Sequence, residues 1–318
     1  VGNTIAPEQV IKQYGADILR LWVAQADYTA DLRIGPEILK NVADSYRRLR
    51  NTMRFILGNL NDFNESEKID YSEMPELEQW VLHRLAELDA VVRDGYAAYD
   101  FQGVFSQVFQ FATVDLSSFY FDIRKDVLYC DDVNGTKRKA ARTVLDILFH
   151  RLTTWLAPML CFTMEDVWLQ RNHENETSIH LVDIPETSSD WLNGKVASKW
   201  EAIRNVRRVV TGAIEVERTA KNIGSSLEAA PEVYFNSNVD LKSLSETVDF
   251  ADICITSDIK LIDGKPSAQG FWLDDVPDIE VIFKKADGEK CMRCWKINSQ
   301  VGKQKHDGCC QRCSDALG

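Results

Sequence analysis

No stretch of this 318-residue sequence approaches the roughly 20 consecutive apolar residues of a membrane span, so a membrane-embedded chain is not expected. The N-terminal region lacks a basic start followed by an apolar run, so no secretory signal is read there. An initial Met is also missing: the chain opens Val1-Gly2-Asn3, as expected of a processed protein or a piece of a longer one. Phosphate-cradling glycine loops are absent, with neither a G-x-G-x-x-G motif nor a P-loop. The five histidines (His83, His150, His173, His180 and His306) are scattered, and none pairs with a nucleophilic serine or cysteine. These absences favour binding over catalysis.

What is present is ordinary for a soluble globular protein: 45% hydrophobic, 27% charged and 10% aromatic residues, with room for two or three domains. The net charge of −12 argues against indiscriminate nucleic-acid binding but leaves a local basic face open. Of eight cysteines, Cys130, Cys161 and Cys254 stand alone, which fits a reducing, cytoplasmic compartment better than a disulfide framework.

In chain order, residues 7 to 26 read as one helix with Pro7 near its start. A second helix from Pro36 to about Leu60 carries a core stripe through Ile38, Leu39, Val42, Tyr46, Leu49, Met53, Ile56, Leu57 and Leu60. Beside that stripe, helical spacing gathers Lys40, Arg47, Arg50 and Arg54, and no acid occurs from Tyr46 to Leu60. Such a face suits phosphate oxygens, which arginine meets two-pronged; a solubilising surface is the alternative. An acidic segment follows at 61–78. Further helices are expected after Pro75 and over roughly 101–128, whose Phe105, Phe109, Phe119, Tyr120 and Phe121 read as core. After the Asp131–Gly135 turn, Lys137, Arg138, Lys139 and Arg142 open another helix. Cations in a first turn oppose the helix dipole, so helix stability alone explains them poorly. Pro158 should interrupt that helix. Long helices with short connections from 35 to 170 describe an up-and-down bundle. A polar linker is read at 171–194, then a helix from Val196 to about Lys221. Strands are expected at 232–235, 253–256, 260–262 and 279–284, with a helix near 241–250, making 195–285 a small α+β module.

The last stretch, 286–318, holds Cys291-Met292-Arg293-Cys294 and Cys310-Gln311-Arg312-Cys313, fifteen residues apart. This C-x2-C-x15-C-x2-C spacing is that of a four-thiolate zinc site, with two local disulfides as the alternative. Cys309 is the spare thiol, and His306 lies inside the loop. Four cysteine ligands leave no open coordination position, so one structural zinc ion is expected.

The whole pattern resembles the C-terminal part of a bacterial isoleucyl-tRNA synthetase, a class I aminoacyl-tRNA synthetase. The resemblance rests on Gly2-Asn3-Thr4-Ile5, Pro7, Tyr14-Gly15-Ala16-Asp17 and Leu19-Arg20-Leu21-Trp22. It continues through Tyr46 to Asn51, Arg54-Phe55, Leu116 to Tyr120, Asp122, Lys125-Asp126 and Ala157-Pro158 to Trp168. It ends with Ile223 to Ala229, Lys290 to Trp295, Val301-Gly302 and Cys310 to Cys313. The fold it implies is mainly α: an anticodon-binding helical bundle, then a small α+β module and a four-cysteine zinc ribbon or knuckle. The boundaries are 1–34 for the end of the catalytic-core connection, 35–170 for the bundle, 171–194 for the linker, 195–285 for the junction module and 286–318 for the zinc module. The partner implied is isoleucine tRNA, with no DNA and no membrane, and a monomer is expected. The complete enzyme of this family is an isoleucine–tRNA ligase that uses ATP. Its ATP motifs and editing domain would lie before residue 1, so this chain is expected to be inactive alone and has no catalytic residues. A stand-alone zinc-ribbon adaptor, or the same region of a valyl or leucyl sibling, is the alternative. Arg47, Arg50, Arg54, Arg138 and Arg142 are expected to meet the tRNA backbone. Trp295 is either a base-stacking residue or packing.

Overall fold

The computed structural model describes residues 5–172, 177–236 and 241–318. Gly2, Asn3, Thr4 and His173, named above, lie outside the described residues. The chain divides into two compact units: Val1–Asp122 with Lys139–Asn193, and Ile123–Arg138 with Gly194–Gly318. Among the described residues no helix is long and apolar enough to cross a membrane.

The first unit is helical. Where one helix was expected over 7–26 there are two, α1 (Pro7–Tyr14) and α2 (Ala16–Gln25). The break falls at Gly15, whose φ of 93° lies in a region that glycine enters without a Cβ clash. α3 (Pro36–Asn59) begins at Pro36, whose missing N–H costs nothing at a helix start; of the expected stripe it buries Leu39, Val42, Leu49, Met53 and Ile56, while Tyr46 and Leu57 are half-buried and Ile38 is exposed. α4 (Glu76–Ala97) is followed by α5 (Phe101–Gln110) and a π-helical stretch at Phe111–Phe121, beyond which α6 (Asp122–Cys130) belongs to the second unit from Ile123 on. Phe105, Phe119, Tyr120 and Phe121 are core as expected, whereas Phe109 is half-buried. Phe119 meets Trp80 edge-on, Phe121 stacks on Phe55 at 4.4 Å, and the Tyr120 hydroxyl donates to Glu78 at 3.0 Å. α7 (Thr136–Leu156) buries Val144, Leu145, Leu148, Leu152 and Trp155 and stops before Pro158; α8 (Cys161–Asn172) resumes beyond it.

Two residues of the Asp17…Arg20 motif explain how α2 is fixed. The buried Asp17 carboxylate accepts the Thr163 N–H at 2.7 Å and its hydroxyl at 2.6 Å, satisfying donors at the start of α8. Arg20 donates to the Pro158 and Met159 carbonyls at 2.8 and 3.2 Å. The proline interruption thus exposes backbone groups that α2 takes up.

The second unit packs α9 (Gly194–Thr219) on a four-stranded sheet. Its strands are β1 (Glu232–Phe235), β2 (Lys260–Asp263), β3 (Phe271–Leu273) and β4 (Val276–Ile282), in the order β2-β1-β4-β3. β1 runs parallel to β2 and antiparallel to β4, with Val233 opposite both Leu261 and Val281. Trp200, Ile203, Val206 and Val210 of α9 are fully buried, and the helix lies on β3 and β4. Gly212 permits the approach, because a Cβ there would sit 2.6 Å from the Phe271 ring. Two short helices, α10 (Leu241–Ser245) and α11 (Phe250–Cys254), lie between β1 and β2. The expected strand at 253–256 is therefore the end of a helix. Asp249 accepts the N–H groups of Ala251 and Asp252, an N-cap that overrides the β-branched run behind it. The metal-ligand region adds a hairpin, β5 (Glu289–Lys290) with β6 (Ile297–Asn298), and a last helix, α12 (Gln311–Asp315).

Candidate metal centre and nucleic-acid interface

The arginine face of α3 stands as its spacing implied. Arg47, Arg50 and Arg54 occupy positions i, i+3 and i+7 of one helix and are all exposed, with Arg48 and Asn51 exposed beside them. Arg47 reaches back to Asp44, whereas Arg50 and Arg54 have no carboxylate partner among the described residues. Exposed, unneutralised arginines on a rigid helix can receive a polyanion without first breaking ion pairs.

The two arginines expected on α7 are placed differently. Arg142 is only 6% exposed; its Nε lies 3.2 Å from Glu67 and its Nη2 donates to the Asn61 carbonyl at 3.0 Å. Its guanidinium also lies over the Phe63 ring. A buried, paired cation holds the 61–67 segment on α7 and is not displayed to a phosphate, which corrects the expectation for Arg142. Arg138 is half-buried and donates to the Leu128 and Val133 carbonyls, so part of its fork closes the α6–α7 turn. These contacts account for Arg138 and Arg142 among the basic residues that open α7.

In the second unit the four predicted cysteines converge. The sulfurs of Cys291, Cys294, Cys310 and Cys313 lie within 4.8 Å of one another, all buried. Cys294 and Cys310 sulfurs are 3.7 Å apart, far from a disulfide's roughly 2.05 Å. A tetrahedron with metal–sulfur bonds of about 2.3 Å has edges of about 3.8 Å, so this spacing is that of ligands around one ion. Every cysteine is a free thiol. The first turn is closed by the Trp295 N–H donating to the Cys291 carbonyl at 3.0 Å, and the Cys310 N–H points at the Cys291 sulfur at 3.4 Å. Burial works to raise the Cys291 thiol, but backbone N–H groups of Cys294, Cys310 and Arg293 bring it down to about 6. Burial and the neighbouring sulfurs push Cys294 up to about 12 and raise Cys313 as well. Sulfurs set this close repel one another once ionised, the condition that a soft divalent cation relieves. Four buried thiols with N–H donors aimed at sulfur thus fit a metal ion.

Cys309 is buried against the quartet without belonging to it, and His306 is turned to Ser314, with Nδ1 3.2 Å from the hydroxyl. Trp295 is 60% exposed with the Lys290 ammonium over its ring at 5.4 Å, so it is not packing. Spacing alone did not reveal Arg293 and Arg312, the residues preceding the second cysteine of each pair. Arg312 pairs two-pronged with Asp126, and Arg293 donates to the Cys130 carbonyl. The repeated Met-Arg and Gln-Arg interiors of the two cysteine pairs were the available signal.

A family model described as the anticodon-binding domain of tRNA ligase matches residues 78–234. One described as class I tRNA synthetases (I, L, M and V) matches residues 1–35. The isoleucine–tRNA ligase of Ruegeria pomeroyi is 61% identical over the whole chain, which covers 33% of that relative. Those of Bradyrhizobium diazoefficiens and Agrobacterium fabrum are 50% and 52% identical over 95% of the chain, covering 30% and 31% of the relatives. The chain thus spans about a third of the length of the curated relatives it matches. All three carry the isoleucine name, which does not favour an adaptor or a valyl or leucyl sibling. The sequence thus resembles the C-terminal region of bacterial isoleucine–tRNA ligases and carries a match to the anticodon-binding domain of tRNA ligases.

Proposed function

We propose that this chain is the anticodon-side tRNA-binding region of an isoleucine–tRNA ligase, which as a whole attaches isoleucine to its tRNA with ATP. The observation that carries the reading is the end-to-end match to isoleucine–tRNA ligases. The exposed arginine face of α3 supports it. Arg47, Arg50 and Arg54 meet backbone phosphates, while Arg138 offers only the part of its fork not spent on the turn. Cys291, Cys294, Cys310 and Cys313 hold one zinc ion. Four thiolate ligands leave no open position, so the ion supplies structure and no chemistry. Trp295 gives an unstacked base an exposed ring, as recognition of single-stranded RNA requires. In this reading the ATP and isoleucine chemistry belongs to parts of the synthetase outside the chain.

The test is binding of isoleucine tRNA and valine tRNA across a salt series, with and without chelator. The isoleucine tRNA should win, and chelation should weaken it. Each of Arg47→Gln, Arg50→Gln and Arg54→Gln should flatten the log–log salt slope by about one unit, because a phosphate contact and its released counterion are lost. Equal affinities for the two tRNAs, or slopes that stay put after charge removal, would sink the reading.

A further inference from the structure

Both cysteine pairs carry an arginine just before their second ligand, and both arginines reach the end of α6. Arg293 donates from Nη1 to the Cys130 carbonyl at 2.6 Å and from Nη2 to the Tyr129 carbonyl at 3.4 Å. Carbonyls in a last helical turn have no partner within the helix. Arg312 binds Asp126 with both arms, Nη2 to Oδ1 at 2.7 Å, and its Nη1 also lies 3.2 Å from Asp131. Acids near a helix C-terminus are opposed by the dipole. Asp131 lies just past the end of α6 and Asp126 one turn inside it, and the cation that faces both, Arg312, comes from the second cysteine turn. The Cys130 sulfur lies in the same buried cluster as the quartet and donates to the Arg293 carbonyl at 3.6 Å. Lys296, two residues past Cys294, adds a pair with Asp252, whose other oxygen is 3.8 Å from Lys137 of the α7 first turn. A Cys-x-x-Cys turn aims its inner side chains in a fixed direction while both sulfurs share an ion, because ligation and local folding are one event.

We propose that Arg293 and Arg312 are positioning residues that fasten residues 123–138 to the metal-ligand turns, so that the RNA contacts of this tip depend on the metal. The proposal rests on the tRNA-binding reading above and adds the residues through which the ion acts. It places the metal's effect on a segment more than a hundred residues away in sequence, which carries Arg138.

The experiment uses the full-length synthetase, with Arg312→Met and Arg312→Lys. Arg312→Met should keep its bound metal while amide exchange across 123–138 quickens. Its KM for tRNA should rise about tenfold, the weight of one charge-assisted hydrogen bond, with kcat and isoleucine-dependent pyrophosphate exchange unchanged. Arg312→Lys, which keeps the charge, should recover part of the KM. Unchanged exchange at 123–138 overturns the proposal, and so does faster exchange with an unchanged KM. Loss of metal from Arg312→Met overturns it too, because the arginine would then serve the ligand turns instead of the tip. If the wild-type enzyme stripped of metal keeps its KM for tRNA, the functional reading is what fails.

Discussion

In the helical unit, Leu145, Leu148, Phe149, Leu152 and Trp155 are fully buried along a single helix, whereas the final segment of the second unit buries five cysteines, Val301 and little else. The first is held by apolar area, at about 25 cal/mol per Å² removed from water. The second has too few apolar side chains for that, and cysteine packs as a small hydrophobe at best. In the metal-binding reading proposed above, its order is supplied by sulfur ligands and by ion pairs such as Arg312–Asp126 and Lys296–Asp252. The same chain therefore uses a source of stability that ignores metal and pH beside one that depends on both.

The largest expected effect tests that contrast directly. Cys313→Ser should abolish metal binding and unfold 286–318, since ligation in small zinc modules is worth about 10–16 kcal/mol and is their folding energy. Protection of α3 and α4 amides should not change, as read by hydrogen exchange. Unfolding of both units together would break the comparison. Next comes Trp155→Ala, expected to cost about 3–5 kcal/mol through lost burial and a cavity. It should lower the thermal transition of the helical unit while the metal content stays the same. A smaller effect separates the two electrostatic devices of the second unit by acid. Burial works to raise Asp252, but Lys296, Lys137 and Arg312 prevail and hold its carboxyl below the ordinary value. A depressed carboxyl adds stability that is complete above its unfolded value, about 3.9, and is lost as pH falls through the lower folded value. Thiolate ligands take up protons at higher pH. Acid titration with a metal indicator and tryptophan emission should thus show metal release first and loss of the pair second. The reverse order would mean that the ion pair does not outlast the metal.

What could be read from sequence follows the range of the interactions. The α3 stripe, the stop at Pro158 and the meeting of the four cysteines are set by neighbours within a few turns or by one repeated spacing, and such patterns survive in a string of letters. The split at Gly15 was also local, but glycine inside a helical period is ambiguous until its φ is known. Arg142 could not be told from Arg54 by periodicity, because its burial comes from the 61–67 segment folding over it. The links of Asp17 to Thr163 and Arg312 to Asp126 join positions 146 and 186 residues apart. No local pattern encodes such pairs. The strand expected at 253–256 failed for the opposite reason: the deciding signal was local, Asp249 as the N-cap of α11, and it overrides the β-branched run that reads as a strand.

Trp295 has a left-handed φ of 66°, where a residue with a Cβ is disfavoured by about 1 kcal/mol and glycine is at ease. The turn after Cys294 would therefore close at least as readily around a smaller residue, yet it holds an indole out in water. Under the proposed function, that is a trade of conformational comfort for a surface that RNA can meet. Trp295→Gly should leave the melting temperature and metal content nearly unchanged, within about 1 kcal/mol of stability. RNA affinity should be the quantity that falls.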